Sequence, residues 1–422
     1  MTTWSATSWT CGGMTTLAEY LGIVRAGERS ADGHGRGASV PRDGGGGADP
    51  DGPLGVHWRA QRERSQEAVL PSGRVVVSCA AALGAGGLGR HLKEILDALE
   101  RNGQQSVCIC GSTLASTPPV PDRKLGSPKL APALAPLMRF SPGRRILRER
   151  VAFDTEAARR LPAADHLIAF NRQALAQFHT ARGEGYKSIA LASGSPHVRH
   201  VARQHARAYR QYPLERSFGT HIVKRYLQEY EQADRIYVAC KYTWESFVEQ
   251  GVREEVLSLF PLTPDPRYGP DEERLPRTSA TFNVVYSGSL TVAKGVALLV
   301  DAVRRLPYPD MRLVLVGGWR TRGMRRFIQE AAAEDSRIEI SPGDPLPHLR
   351  AARLCVHPTY EDGFAYAPAE ALACGVPALV SEDTGMKELI DPGSNGLILP
   401  TGDLDALTES IEAAYRGELF GG

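Results

Sequence analysis

Two carboxylates with seven residues between them, Asp362 and Glu370, sit in the run Asp362-Gly363-Phe364-Ala365-Tyr366-Ala367-Pro368-Ala369-Glu370. The glycine lets backbone approach a ligand closely. Pro368 is tolerated in a first helical turn, so a short apolar helix starting near it is expected. A helix start offers free N–H groups and partial positive charge, which receive a phosphate. A carboxylate one turn inside it accepts hydrogen bonds from sugar hydroxyls. Together these parts describe a site for a sugar joined to a phosphate. The alternative is a solvated loop ahead of a core helix.

Other residues able to do chemistry lie upstream. Gly84-x-Gly86-x-x-Gly89 falls between the apolar run Arg74–Cys79 and an amphipathic helix expected over Leu92–Glu100. That spacing fits a dinucleotide fingerprint, which makes an NAD(P)-dependent oxidoreductase one reading. Such an enzyme also places an acid at the end of the second strand for the ribose. Here that end reads Cys110-Gly111-Ser112. His197 follows the strand Ser188–Ala192, and Arg199, Arg203 and Arg207 repeat every four residues after it, on one helix face. They read as a solvated face or as a hold on an anionic acceptor. Lys294 stands just ahead of an expected helix, where a cation is slightly unfavourable and so calls for a role.

These residues need a scaffold. Strand-length apolar runs alternate with helical stretches from residue 74 onward, which predicts parallel sheets and an α/β architecture. The expected strands begin at Arg74, Ser106, His166, Ser188, Arg235, Val256, Phe282, Arg312, Ile338, Leu354, Ala378 and Leu397. A chain of 422 residues exceeds one ordinary core, so two domains are expected. We expect a poorly ordered extension over 1–70, a first domain over 71–262, a proline-rich linker over 263–281 and a second domain over 282–422. The extension is rich in Gly, Asp, Arg and Ser, which bury too little apolar surface to offset ordering entropy. The segment 113–160 reads as a solvated loop plus helix. Its arginines also admit peripheral contact with anionic lipid.

Composition narrows the field. Net charge is +2 and hydrophobic content 42%, so no global field points to nucleic acid. No apolar run reaches the length of a membrane span, and no basic segment with an apolar core opens the chain. The seven cysteines form no C-x-x-C pair, which fits a reduced cytoplasmic setting.

The acidic pair resembles the Glu-x7-Glu of retaining glycosyltransferases with the two-domain GT-B fold, in particular family 4. The Gly-Phe between the acids and the Glu370-Ala-Leu-Ala-Cys-Gly-Val-Pro377 that follows make the match specific. Gly86-Gly87-Leu88-Gly89-Arg90-His91 looks like that family's first glycine loop, and the resemblance spans about residues 72–416. It implies two Rossmann-like domains with parallel sheets facing across a cleft, and sugar transfer from a nucleotide diphosphate to a hydroxyl. UDP- or GDP-linked donors fit best. It further implies Glu370 at the ribose, Asp362 at the donor sugar, and Gly363, Phe364 and Ala365 N–H groups beside sugar and phosphate. Gly86, Gly87, Gly288, Ser289 and Lys294 would face the diphosphate, with His197 on the opposite wall and Arg199 and Arg203 toward the acceptor. No bound metal or cofactor is implied. The acceptor is left open among glycans, lipid-linked molecules and small molecules.

The chain departs from the family pattern in several places. Asp362 is one methylene shorter than the usual Glu, and the adjacent Glu361 gives a spacing of eight. Ser289 replaces the usual Arg. Relatives usually continue for several dozen residues with a helix that crosses back onto the first domain, so altered docking is expected for a chain that stops at Gly422. These departures lean toward a GT-B scaffold that only binds; the NAD(P)-dependent oxidoreductase and, more weakly, a nucleotide-sugar epimerase of the same fold stay open beside it.

Overall fold

The structure is a computed structural model, and it describes residues 69–113, 122–124, 142–216, 219–269 and 281–420. The extension expected over 1–70, but for its last two residues, and most of the linker lie outside the described residues. Two wholly parallel sheets account for the architecture. The first has the strands β1 (Arg74–Leu83), β2 (Gln105–Thr113), β3 (Asp122–Lys124), β4 (His166–Phe170), β5 (Ser188–Ser193), β6 (Arg235–Val238) and β7 (Leu257–Leu259), in the spatial order β3-β2-β1-β4-β5-β6-β7. The second has β8 (Phe282–Ser287), β9 (Met311–Val316), β10 (Ile338–Ser341), β11 (Leu354–His357), β12 (Ala378–Ser381) and β13 (Gly396–Leu399), in the order β10-β9-β8-β11-β12-β13. Each sheet reverses its winding once, between β1 and β4 and between β8 and β11. Ligands of doubly wound sheets bind beyond the carboxyl ends of the strands at that reversal.

The strands are buried on both faces, which explains their runs of Val, Ile, Leu and Ala. Val75, Val76, Val77, Ile168 and Leu191 are fully buried in the first sheet, as are Val284, Leu313, Val356 and Leu379 in the second. Helices cover the faces. Those used below are α1 (Gly86–Arg101), α2 (Pro142–Arg159), α3 (Leu175–Gly183), α4 (Val198–Gln211), α5 (Thr220–Gln232), α6 (Lys241–Val248), α7 (Val296–Arg305), α8 (Arg322–Glu334), α9 (Leu346–Arg350), α10 (Tyr366–Ala373) and α11 (Leu404–Tyr415). No helix among the described residues is long and apolar enough to cross a membrane.

Several boundaries differ from the sequence reading. β1 continues to Leu83, through a register shift between Cys79 and Ala82, and runs straight into the glycine loop. Its end is Ala-rich and carries no β-branched signal, so the strand reads shorter than it is. The glycine loop therefore follows its strand directly, rather than several residues beyond it. α1 starts at Gly86, six residues ahead of the expected Leu92, because the glycines themselves form its first turn. α7 starts at Val296, leaving Lys294 in the preceding turn. α10 begins at Tyr366, and α8 and β3 answer to no expected element.

The two sheets pack closely. One apolar cluster runs from Val75 and Val77 through Phe170 and Phe260 to Phe364, Tyr366, Ala369 and Val380. Polar contacts along α4 add to it. His205 Nε2 lies 3.0 Å from Glu361 Oε1, Arg207 donates to the Thr401 carbonyl, and the Tyr360 hydroxyl is 2.5 Å from Gln211 Oε1. Glu388 accepts from the first-turn amides of α6, Tyr242 N at 2.6 Å and Lys241 N at 3.2 Å.

Candidate active site

The carboxyl ends of β11 and β8 build the C-terminal wall. β11 ends in His357, all four of its residues buried, and the chain then turns through Pro358 to Glu361 and Asp362. The Asp362 carboxylate lies 2.8 Å from Lys294 Nζ and 3.2 Å from His357 Nε2. Burial pushes its carboxyl upward, but the Lys294 and His357 contacts outweigh that and hold it well below the usual carboxylate range. Lys294 also donates to the Glu361 carbonyl at 2.8 Å. Desolvation lowers its pKa, yet Asp362 and Glu361 reverse the sign, so the ammonium keeps its charge. Gly295 fixes this turn: its φ is 71°, and any Cβ there would collide with the Pro358 carbonyl.

Gly363, Phe364 and Ala365 lead into α10. Ala365 has φ 62°, a left-handed conformation rare for a residue with a Cβ. The backbone N–H groups of all three make no hydrogen bond among the described residues. Successive free amides beside a left-handed residue form a concavity for an anion. Glu370 lies one turn into α10, 1% exposed, with its carboxylate on Arg90 of α1. The Arg90 guanidinium also stands 4.4 Å from the Tyr366 ring centroid. Tyr366 in turn donates to Glu94 Oε1 at 2.6 Å, and Thr263 N donates to Glu94 Oε2 at 2.9 Å. Gly87 faces Tyr366, whereas Gly86, at φ 59°, opens onto free space.

Gly288 and Ser289 close the β8 end. Arg320, after the Gly317-Gly318 turn of β9, donates to Ser289 Oγ at 3.3 Å. A guanidinium therefore stands at the position where the sequence shows only a serine.

On the N-terminal wall, His197 caps α4 by accepting from Arg199 N through Nδ1 at 3.3 Å. Its ring packs on Tyr230 and Phe247, with centroids at 5.0 and 5.2 Å. Burial, with Arg199 and His200, lowers its pKa to about 4. The ring is thus neutral near pH 7. With Nδ1 accepting, the proton lies on Nε2, which makes no hydrogen bond among the described residues. Arg199 and Arg203 are exposed on α4, and Arg203 donates to His200 Nδ1 at 3.1 Å.

The structure thus brings Lys294, Asp362, Gly363, Phe364, Ala365 and Glu370 onto one wall, beside Gly288 and Ser289. Sequence reasoning passed over His357, Glu94, Arg320 and the role of Arg90. Arg320, Glu94 and Arg90 pair across tens to hundreds of residues or across the cleft, which no local pattern signals, whereas His357 pairs only five residues away but reads as the end of a buried strand. Among the described residues, no group of three or more His, Cys, Asp or Glu is placed to hold a metal ion.

A doubly wound second sheet with a lysine, an acidic pair and free amides at its switch point invites comparison with known proteins. Residues 271–419 match the family model of glycosyl transferases group 1. That glycosyl transferases group 1 segment carries Gly288, Ser289, Lys294, Asp362 and Glu370. The chain is 28% identical over 146 residues to a D-inositol 3-phosphate glycosyltransferase of Pseudarthrobacter chlorophenolicus, covering 32% of this chain and 34% of that protein. It thus spans about a third of the length of that curated relative. Over the whole fold it is similar to the sucrose-phosphate synthase of Thermosynechococcus elongatus, with a TM-score of 0.61 and 18% identity, covering 81% and 90% of the two chains. It is also similar to HepE of Anabaena, solved in complex with UDP and glucose, with a TM-score of 0.58 and 16% identity over 82% and 90%. The fold is GT-B, with two Rossmann-like units.

Proposed function

We propose that the chain is a retaining glycosyltransferase that moves a sugar from a nucleoside diphosphate to an acceptor hydroxyl. The observation that carries this reading is the free amides of Gly363, Phe364 and Ala365, set beside the Asp362–Lys294 ion pair and one helical turn from Glu370. The family match over 271–419 supports it, as does the UDP and glucose held by HepE.

In this reading Glu370 binds the ribose diol and Asp362 orients the donor sugar. Lys294, Arg320 and the helix mouth stabilise charge on the departing diphosphate, with the amides of Gly86, Gly87, Gly288 and Ser289 alongside. His197 Nε2–H donates to a sugar or phosphate oxygen from the other wall. The bond from the anomeric carbon to the phosphate oxygen breaks, and a bond to the acceptor oxygen forms on the same face. The acceptor proton passes to the leaving phosphate. The products are a glycoside and a nucleoside diphosphate, and no protein base or bound metal is needed. The buried cysteines Cys79, Cys108, Cys110, Cys240, Cys355 and Cys374 fit a reduced, cytoplasmic setting.

The test is a panel of UDP-, GDP-, ADP- and TDP-sugars, scored by thermal shift and by release of nucleoside diphosphate. Donor-dependent release is the expected result. Binding without release, with any acceptor, would leave a scaffold that only binds.

A further inference from the structure

The two turns that present Lys294 and Arg320 leave the second sheet side by side. Leu290 pairs with Trp319 in an isolated parallel bridge, and Leu290 N donates to the Gly318 carbonyl at 3.0 Å. One turn then runs through Val292 and Lys294 into α7, and the other through Arg320 and Thr321 into α8. The ladder between β8 and β9 has ended by this point, so each turn needs another partner for its polar groups.

Glu215 supplies it to both. This residue belongs to the first unit, four positions beyond the end of α4. Its Oε2 accepts from Val292 N at 2.7 Å, and its Oε1 accepts from the Thr321 hydroxyl at 2.8 Å. Val292 is fully buried, so without that oxygen its amide would be an orphan. Thr321 caps α8, accepting from Met324 N at 3.3 Å through the same hydroxyl oxygen. A carboxylate only accepts, so it draws the hydroxyl proton to itself and leaves the oxygen's lone pair to the amide. Neighbouring contacts fix Glu215 in turn. Tyr212 donates to Asp301 Oδ2 of α7 at 2.9 Å, and Tyr212 and Leu214 pack on the apolar cluster that holds Val292, Val296 and Met324. Gly323, in the first turn of α8, lies so near that a Cβ on it would stand 2.0 Å from the Leu214 carbonyl oxygen.

We propose that Glu215 is a positioning residue for the donor diphosphate, fixing from the other unit both turns that carry the diphosphate-facing cations. This role rests on the glycosyl-transfer reading and adds to it a residue outside the matched segment 271–419. The two bonds of Glu215 fall two residues before Lys294 and one residue after Arg320. Positive charge stabilises a leaving diphosphate best when its carriers are already in place, because they then need not reorganise as the bond breaks. α4 also bears His197 at its start and leads to Glu215 beyond its end. One helix thus sets the histidine of the first wall and the two cations of the second in a common frame.

UDP and GDP are titrated calorimetrically into the full chain, and the matching nucleoside is measured by competition against whichever binds. Glu215→Ala should weaken nucleoside diphosphate binding by about tenfold or more. It should leave nucleoside affinity unchanged, because the ribose rests on Glu370 of α10 and not on the two turns. Glu215→Gln keeps an acceptor for Val292 N and a polar partner for Thr321, so it should restore most of the loss. In a Lys294→Ala background, Glu215→Ala should cost clearly less than in wild type, since one of the cations it places is gone. Equal loss of nucleoside and nucleoside diphosphate would make Glu215 a general support of the fold and overturn the proposal. Unchanged diphosphate affinity in Glu215→Ala overturns it too, as do strictly additive effects of Glu215→Ala and Lys294→Ala. None of these three results touches the donor reading. Failure of the wild type to bind any nucleoside diphosphate would sink that reading, and this role with it.

Discussion

The guanidinium of Arg90 is seated on the carboxylate of Glu370, from the opposite wall of the cleft. Glu370 is almost fully buried and Arg90 is 26% exposed, so the pair forms in a partly dry setting. That contact occupies Oε1, so the two carboxylate oxygens are not both open to a ribose diol. A ribose diol that takes both oxygens therefore competes with Arg90, at the cost of a partly buried ion pair. Arg90→Met should tighten nucleoside diphosphate binding by several-fold and lower the thermal midpoint at the same time. Calorimetry and a melting curve on one preparation check both signs. Weaker binding in the variant would mean that Arg90 holds the donor rather than competing with it.

Lys294 lies 2.8 Å from Asp362 and keeps that carboxylate ionised against its own burial. Lys294→Ala should remove a cation from the diphosphate site and let the Asp362 pKa climb, leaving His357 as its remaining partner. Nucleoside diphosphate affinity should fall by about ten- to a hundredfold, since hydrogen bonds to charged groups contribute about 1.5–3 kcal/mol. Transfer activity should also become sensitive to acid at a higher pH than in wild type. An unchanged affinity would remove the lysine from the site.

The sequence shows this wall well and the opposite one poorly, for a physical reason. Lys294, Asp362, Gly363 and Glu370 sit on short loops that follow buried strands, so apolar runs and glycines mark them locally. β1 reads short because Ala80, Ala81 and Ala82 carry no strand preference. Arg320 is one arginine among many until its turn brings it to Ser289. Arg90 and Glu370 are 280 residues apart, and Tyr366 and Glu94 are 272 apart. Such pairs exist only once two sheets have packed, and neither period nor propensity encodes them.

Glu94 ties pH to the packing of the two sheets. Burial raises its carboxyl from 4.5 to about 7, opposed by hydrogen bonds from Tyr366 and Thr263. Between these values the folded chain holds a proton that the unfolded chain has lost. Its contribution to stability is therefore full below about pH 4.5 and is lost as pH rises through about 7. Glu94→Gln removes this titration. The stability of the variant relative to wild type should rise by about 3 kcal/mol from pH 4.5 to 8. Denaturant unfolding of both proteins across that range measures it, and a flat difference would show that Glu94 titrates normally.

Gly363 shows how closely the walls approach. A Cβ built on it would meet the Gly194 carbonyl oxygen at 2.7 Å and Ser195 Cα at 3.3 Å, both from the other side of the cleft. Its own φ is not in the left-handed region, so alanine is tolerated locally and the conflict arises only between the walls. The Gly363 carbonyl, which accepts from Cys240 Sγ at 3.1 Å, would shift with it. Gly363→Ala should therefore leave each unit folded while holding the cleft slightly open. Water would enter and the donor would lose its grip from the N-terminal wall, so transfer should fall by more than tenfold. Nucleoside diphosphate binding, which depends on the C-terminal wall, should change far less. Small-angle scattering should show a larger radius of gyration with unchanged secondary structure by circular dichroism. A variant as compact and as active as wild type would show that the reaction does not require this approach.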